Sequence, residues 1–310
     1  MTETAREPEP ASDLRDLVAG AVAPLRVPLA VAERLLTPAR MELRRKVRRS
    51  LGLAREPVAH PARGEPFLPA DAVARHVHGD LPSMVIGGLA ALLLQSLHPL
   101  AMAGVAEHSN YKEDPIGRLR RTASFIGATT FGSVEQAEAA IDEVRRVHGQ
   151  VHGRAPDGRR YSANDPELLT WVHVAEVYSF LTASQRYGPR RLTVATQDRY
   201  FAQTAGVAYA LGARWVPESR EEVDAYFKRV RLELYAGRQA LEARDFLLRG
   251  VAKRPNDRLV YAAIVAGALS ILPTWAKSEL RIISVPFAGD LVVKPMERTY
   301  CAALRRALRP

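Results

Sequence analysis

Two Asp-Pro pairs, Asp114–Pro115 and Asp165–Pro166, each open a long segment in which apolar residues return every three or four positions. An Asp side chain accepts hydrogen bonds from the free N–H groups of a first helical turn, and Pro has no N–H to leave orphaned there. Ser133 with Gln136, and Ser219 with Glu222, have the spacing of capping boxes. Gly188, Gly212, Gly237 and Gly250 stand where the periodic runs stop. Strand signals are weak. Ala155–Pro156–Asp157–Gly158 reads as a turn that can close a short hairpin with Arg159–Tyr161. The pattern predicts an all-α domain over residues 69–310, with no internal repeat.

Residues 1–68 differ in composition, being rich in Pro, Ala and Arg, and read as a basic helical extension. Six of the ten residues from Arg40 to Arg49 are basic, and Leu43, Val47 and Leu51 share one face. Such a helix suits an anionic lipid surface or nucleic acid, or docks its apolar stripe on the main domain; the docked reading is preferred. The amino-terminal residues have no apolar secretory core, so the expected setting is the cytoplasm. The uncharged run between Asp80 and Glu107 is long enough for a membrane. Pro99 breaks it, and it reads as a buried helix followed by a second element. Leu259–Ala276 reads as a further buried helix.

With 310 residues and 47% hydrophobic content, the chain builds a core without staples. Cys301 is the only cysteine, which excludes an intrachain disulfide and a thiolate metal cage. The net charge of +10 permits acidic partners and selects none.

Three helical segments carry candidate chemistry. On Ser133–Val151, the residues Val134, Ala137, Ile141, Val144, His148 and Val151 form one apolar stripe. His148 thus faces inward, and His152 follows one turn later. His148 is either a structural imidazole bonded to a carbonyl or a ligand, and Gly149 and Gly153 leave bare backbone for a flat ligand. On the helix opened by Asp114, Arg118, Thr122, Phe125 and Thr129 share one face, while Ile116, Leu119, Ala123, Ile126 and Thr130 share another. Arg118 suits a carboxylate clamp or a structural pair. On the helix opened by Asp165, Leu169, His173, Glu176 and Phe180 share a face, so His173 and Glu176 either bond each other or line a cavity. His148 and His152 have zinc-protease spacing, but Gly149 stands where Glu is needed.

Taken in order, these motifs run Leu97–His98–Pro99, Asp114–Pro115, Arg118-x-x-x-Thr122, Phe131–Gly132, His148-x-x-Val151-x-Gly153, Tyr161, Asp165–Pro166 and Trp171–Val172–His173. The set resembles the family of MpaB-type oxygenases and latex-clearing rubber oxygenases. That resemblance implies a globin-related multi-helix bundle enclosing a pocket for haem b. It implies His148 as the proximal iron ligand, with Arg118 and Thr122 beside the haem and Phe125 and His152 close by. Arg118, Thr122 and His173 are then the candidate catalytic residues, and dioxygen and a small apolar, isoprenoid-like molecule the partners. Rubber cleavage itself is a poor match. Arg121 replaces the Lys that rubber-cleaving members carry before the Thr, and their pocket Glu has no clear counterpart. Two readings of other classes remain: a helical binding module for nucleic acid or a membrane surface, though no recognition motif is present, and a non-haem metal site on His148, His152 and His173.

Overall fold

A computed structural model describes residues 64–251 and 255–283 and, near the carboxyl end, residues 298–299, 301–302 and 305–306. All of them fall within one compact unit, Arg44–Pro310. The basic cluster Arg40–Arg49 and the rest of the extension up to residue 63 lie outside the described residues.

The described part is helical apart from one hairpin. The elements run α1 (Val73–His78), α2 (Leu81–Gln95), α3 (Pro99–His108), α4 (Pro115–Phe131), α5 (Val134–His148), β1 (His152–Arg154), β2 (Arg160–Ser162) and α6 (Pro166–Tyr187). They continue as α7 (Val194–Leu211), α8 (Arg220–Val230), α9 (Arg238–Asp245), α10 (Pro255–Ile271) and α11 (Thr274–Glu279), with a π-helical turn, Phe246–Gly250, after α9. The all-α reading therefore holds. Packing begins a few residues before Pro69: Phe67 donates its N–H to the Gly132 carbonyl, and Leu68 is buried in the core.

The centre is the pair α2 and α6. A helix apolar all round is a buried helix, and uncharged α2 buries Ile86, Leu89, Leu93 and Leu94 on different sides. Gly87 lets it approach α6, since a Cβ there would stand 3.0 Å from both the Phe180 Cα and the Ser179 carbonyl oxygen. Around this pair, α1, α7, α8 and α10 complete the main core with Val77, Tyr200, Phe201, Phe227 and Ala268.

The uncharged run breaks as its Pro requires. After α2 the chain turns by 106° and α3 starts at Pro99. The Leu97 carbonyl freed by the break accepts the Tyr235 N–H at 3.0 Å, as a buried peptide group must find a partner. Among the described residues no single helix is long and apolar enough to cross a membrane, and only the bent pair α2–α3 passes that test jointly.

Local chemistry sets the remaining boundaries. Asp114 caps α4 by accepting the Gly117 N–H, and Asp165 caps α6 by accepting those of Glu167 and Leu168. The Ser133–Gln136 capping box is complete in both directions. At the other box Ser219 accepts the Glu222 N–H, but the Glu222 carboxylate turns instead to the N–H of Glu218. Gly212 ends α7 with φ 115°, a left-handed conformation that suits Gly. Gly237 differs from expectation: it precedes α9 rather than ending a helix, because α8 has already stopped at Val230.

The α5 helix also stops earlier than its apolar spacing predicts. It ends at His148 with Gly149 as its C-cap. From His152 the backbone pairs with β2 in antiparallel register, His152 facing Ser162 and Arg154 facing Arg160, and Gly158 at φ 86° makes the turn. These sheet bonds replace a further helical turn. His152 is consequently a strand residue on the surface, not the next inward position after His148.

Candidate functional site

His173 and Glu176 sit one turn apart on α6, a largely buried helix, between the buried Trp171 and Phe180. No bond joins them. His173 Nε2 is buried and has no hydrogen-bond partner. Burial holds its pKa down to about 4, so the ring is neutral. Burial pushes the Glu176 carboxyl up to about 7, with no cation to offset it. Both residues retain some accessible surface despite their depth.

The groups around them come from three more helices. His78, at the end of α1, bonds Thr130 Oγ1 of α4 at 2.8 Å through Nδ1 and Tyr200 Oη of α7 at 2.9 Å through Nε2. Its pKa falls to about 3, through burial and then through the nearby His173. The neutral ring therefore donates one of these bonds and accepts the other. Tyr200 is fully buried, and burial together with the Glu176 charge keeps its hydroxyl protonated. His78, Thr130, His173, Glu176 and Tyr200 thus form one buried polar cluster within an apolar core.

His148 closes α5. The expected stripe is present: Ala137 and Ile141 are buried, and Val134, Val144 and His148 are half-buried. His148 Nδ1 is buried without a partner, and burial lowers the ring's pKa. Like His173, it is a neutral imidazole that no protein group engages.

The packing of α4 and α5 leaves room in front of it. They lie against each other, and α5 also lies against α7, but neither runs along α6 as α2 does. The main core takes nothing from α5, and from α4 only Ile126 at its edge. Gly127 is half-buried, yet a side chain there would meet nothing within 4 Å. The α4–α5 layer therefore stands apart from the main core, with open space at Gly127.

The other expected site residues divide. Arg118 is half-buried and donates to Ser109 Oγ at 2.7 Å. Burial and then the charge of Arg121 lower its pKa, and no carboxylate among the described residues pairs with it. Phe125 is half-buried, and Thr122, on the same face, is exposed. His152 lines an open depression of about 520 Å³ beside the hairpin, which His148, His173 and Glu176 do not line. His148, His152 and His173 do not form a metal-binding group; no three His, Cys, Asp or Glu residues do among the described residues. His98, in the Leu97–His98–Pro99 motif, caps α3, packs on Trp171 with ring centroids 6.1 Å apart, and leaves Nδ1 unpartnered.

A family model described as ER-bound oxygenase mpaB/B'/Rubber oxygenase, catalytic domain, matches residues 75–306. The chain belongs to this oxygenase family. The matched range runs from α1 through the carboxyl-terminal residues and takes in every residue of the polar cluster together with His148 and Arg118. Membership of a family of oxygenase catalytic domains makes the protein an enzyme of oxygenase type. No curated protein and no solved structure matches it.

The sequence pattern places His173 and Glu176 on one face but does not single out His78 or Tyr200. The signal for His78 is its place four residues after buried Ala74 on the short helix α1. For Tyr200 it is the small-residue row Tyr200, Thr204, Ala208.

Proposed function

We propose that the protein is a haem b-dependent oxygenase for a small apolar, isoprenoid-like substrate, with His148 as the protein ligand to iron and a globin-related helical frame. The observation that carries this reading is the neutral ring of His148, whose buried Nδ1 has no partner, at the end of a helix that stands apart from the main core. A flat macrocycle with two carboxylates needs a neutral imidazole, apolar walls and a cation at its edge. The residues present fit it. His148 is the imidazole, Ile126, Ile141 and Phe125 offer apolar wall, and Arg118 is a partly desolvated guanidinium free to take a carboxylate. When bound, haem would supply the iron centre that activates dioxygen.

The chain's own residues would do the rest. His148 would hold the iron through its neutral ring. Arg118 anchors a carboxylate, and Thr122, at the exposed end of the same face, offers a hydroxyl at the rim. His173 presents a neutral ring nitrogen to the interior. Its burial excludes the protonated form, so it accepts or donates one hydrogen bond without adding charge. The ligand role goes to His148 rather than to His152, whose exposed strand position would leave iron in water.

The test is an absorption spectrum of the purified protein, oxidised and reduced, before and after haem reconstitution. A Soret band that His148→Ala removes or shifts supports the reading. A protein without a Soret band, and without gain on reconstitution, overturns it.

A further inference from the structure

A wall meant only for hydrocarbon would be hydrocarbon. The interior here carries two polar side chains one turn apart on α6: His173, whose buried Nε2 has no hydrogen-bond partner, and the half-buried Glu176, whose carboxyl has no bonding or charged partner to offset its burial. Such groups are rare in folded proteins, because each loses hydrogen bonds to water and gains none. Their neighbours show that the cluster was not short of partners. His78 satisfies both ring nitrogens through Thr130 and Tyr200, a few ångströms away. His173 and Glu176 stand outside that network and keep some accessible surface. Residues three apart on a helix have side chains about 5–6 Å apart, a span that one oxygen atom can bridge.

We propose that the substrate is apolar along its body but carries one hydrogen-bonding group, a hydroxyl or carbonyl, and that His173 Nε2 and the Glu176 carboxyl dock it. A neutral imidazole offers one N–H and one lone pair, and the carboxyl offers a proton or a lone pair according to its state. A hydroxyl satisfies either combination, and a carbonyl oxygen accepts from the imidazole N–H or from the protonated carboxyl. A saturated hydrocarbon satisfies neither and leaves both groups buried and unpaired. Sites built to hydrogen-bond a substrate group discriminate strongly against analogues that lack it. The docking point would fix which carbon of the apolar body meets the reaction centre, by setting how far the body extends from α6.

This inference rests on the reading of the interior as a site for an apolar molecule, and the experiment separates the two. Cyclohexanol, cyclohexanone, cyclohexylamine and cyclohexane share one ring and differ in a single group. Their affinities are measured by calorimetry on the purified protein, in wild type, Glu176→Leu, Glu176→Gln and His173→Phe. The expected result is that the alcohol and the ketone bind wild type about tenfold more tightly than the hydrocarbon, the value of one buried neutral hydrogen bond. Glu176→Gln keeps that preference, while Glu176→Leu and His173→Phe reduce or reverse it. Equal binding of alcohol and hydrocarbon to wild type overturns the docking proposal and leaves an apolar site standing. Tightest binding of the amine also overturns it, because the Glu176 carboxylate would then be a cation site. If no cyclohexyl compound binds, the apolar-substrate reading falls as well. The wild-type comparison decides even if a leucine variant fails to fold.

Discussion

Replacing Glu176 by Gln should stabilise the protein at alkaline pH and do so less and less as the solution is acidified. The Glu176 carboxyl titrates at about 7 in the fold, against 4.5 for an ordinary Glu, because burial penalises its charged form. The sign follows from proton counting. Between pH 4.5 and 7 the unfolded chain has released this proton and the folded chain has not, so stability falls as pH rises through that window. Below 4.5 both states are protonated and the effect vanishes; above 7 it is complete. A gap of roughly 2.5 pH units corresponds to about 3 kcal/mol. Gln has the same shape and no charge to desolvate. The variant should therefore gain about 3 kcal/mol over wild type at pH 8 and almost none of it at pH 4.5, apart from a constant offset. In a melt that gain is worth roughly 6–12 °C, at about 2–4 °C per kcal/mol for a domain of this order. The assay is urea unfolding of both proteins from pH 4.5 to 8.5, at matched cofactor content. Parallel stability profiles would show that Glu176 is either paired or hydrated in solution, and would remove it from the interior site.

The histidines act in the opposite sense. His78, His98 and His173 have pKa values held to about 3, 4 and 4 against an ordinary 6.5, so their contribution is lost as pH falls below 6.5. Unfolding near pH 5 should take up about three protons from these groups, and His98→Gln should lower the slope of stability against pH by about one proton. His148→Ala should lose haem or shift its Soret band while circular dichroism stays helical, whereas His152→Ala should keep the native spectrum; the reverse pattern would give iron to the strand residue. Arg118→Ala should weaken haem retention tenfold to a hundredfold, as loss of a partly desolvated charge pair does, and Arg121→Ala should change it little, since Arg121 is exposed beside Asp114. Gly87→Ala should cost about 1–3 kcal/mol in urea unfolding by forcing α2 off the α6 backbone, while Gly127→Ala, which meets open space, should be neutral or gain up to about 1 kcal/mol.

Helix openings were legible in the sequence because they depend on neighbouring residues. Asp114, Ser133 and Asp165 cap where their spacing predicts, since each cap is a bond across two or three positions. The end of α5 was less legible. Val151 fits the apolar period, but the pairing of β1 with β2 depends on residues about ten positions away, and it made His152 a surface strand residue instead of part of a further helical turn. Of the candidate site, the inward placement of His148 and the shared face of His173 and Glu176 were read directly from helical phase. The convergence of His78, Thr130 and Tyr200 was not, because their bonds span 52 and 122 positions and no local pattern reports them. Phase also could not tell that Thr122 is exposed while Arg118, four residues earlier, is half-buried; that depends on which neighbours each turn of α4 meets.

Asp80, just before α2, is buried and held by Arg305 through a two-pronged bond, at 2.5 and 2.7 Å, that closes 225 positions of chain. During synthesis the carboxylate emerges from the ribosome long before its guanidinium exists. Until then, docking the start of the central helix would bury a lone negative charge, which is strongly unfavourable. At a few to twenty residues per second the wait lasts on the order of ten seconds or more. The nascent chain should therefore hold its central helix pair loosely and seal it only once Arg305 has emerged. A ribosome-bound chain stalled before Arg305 is then expected to be protease-sensitive at α2 even though nearly all of its core residues have been made.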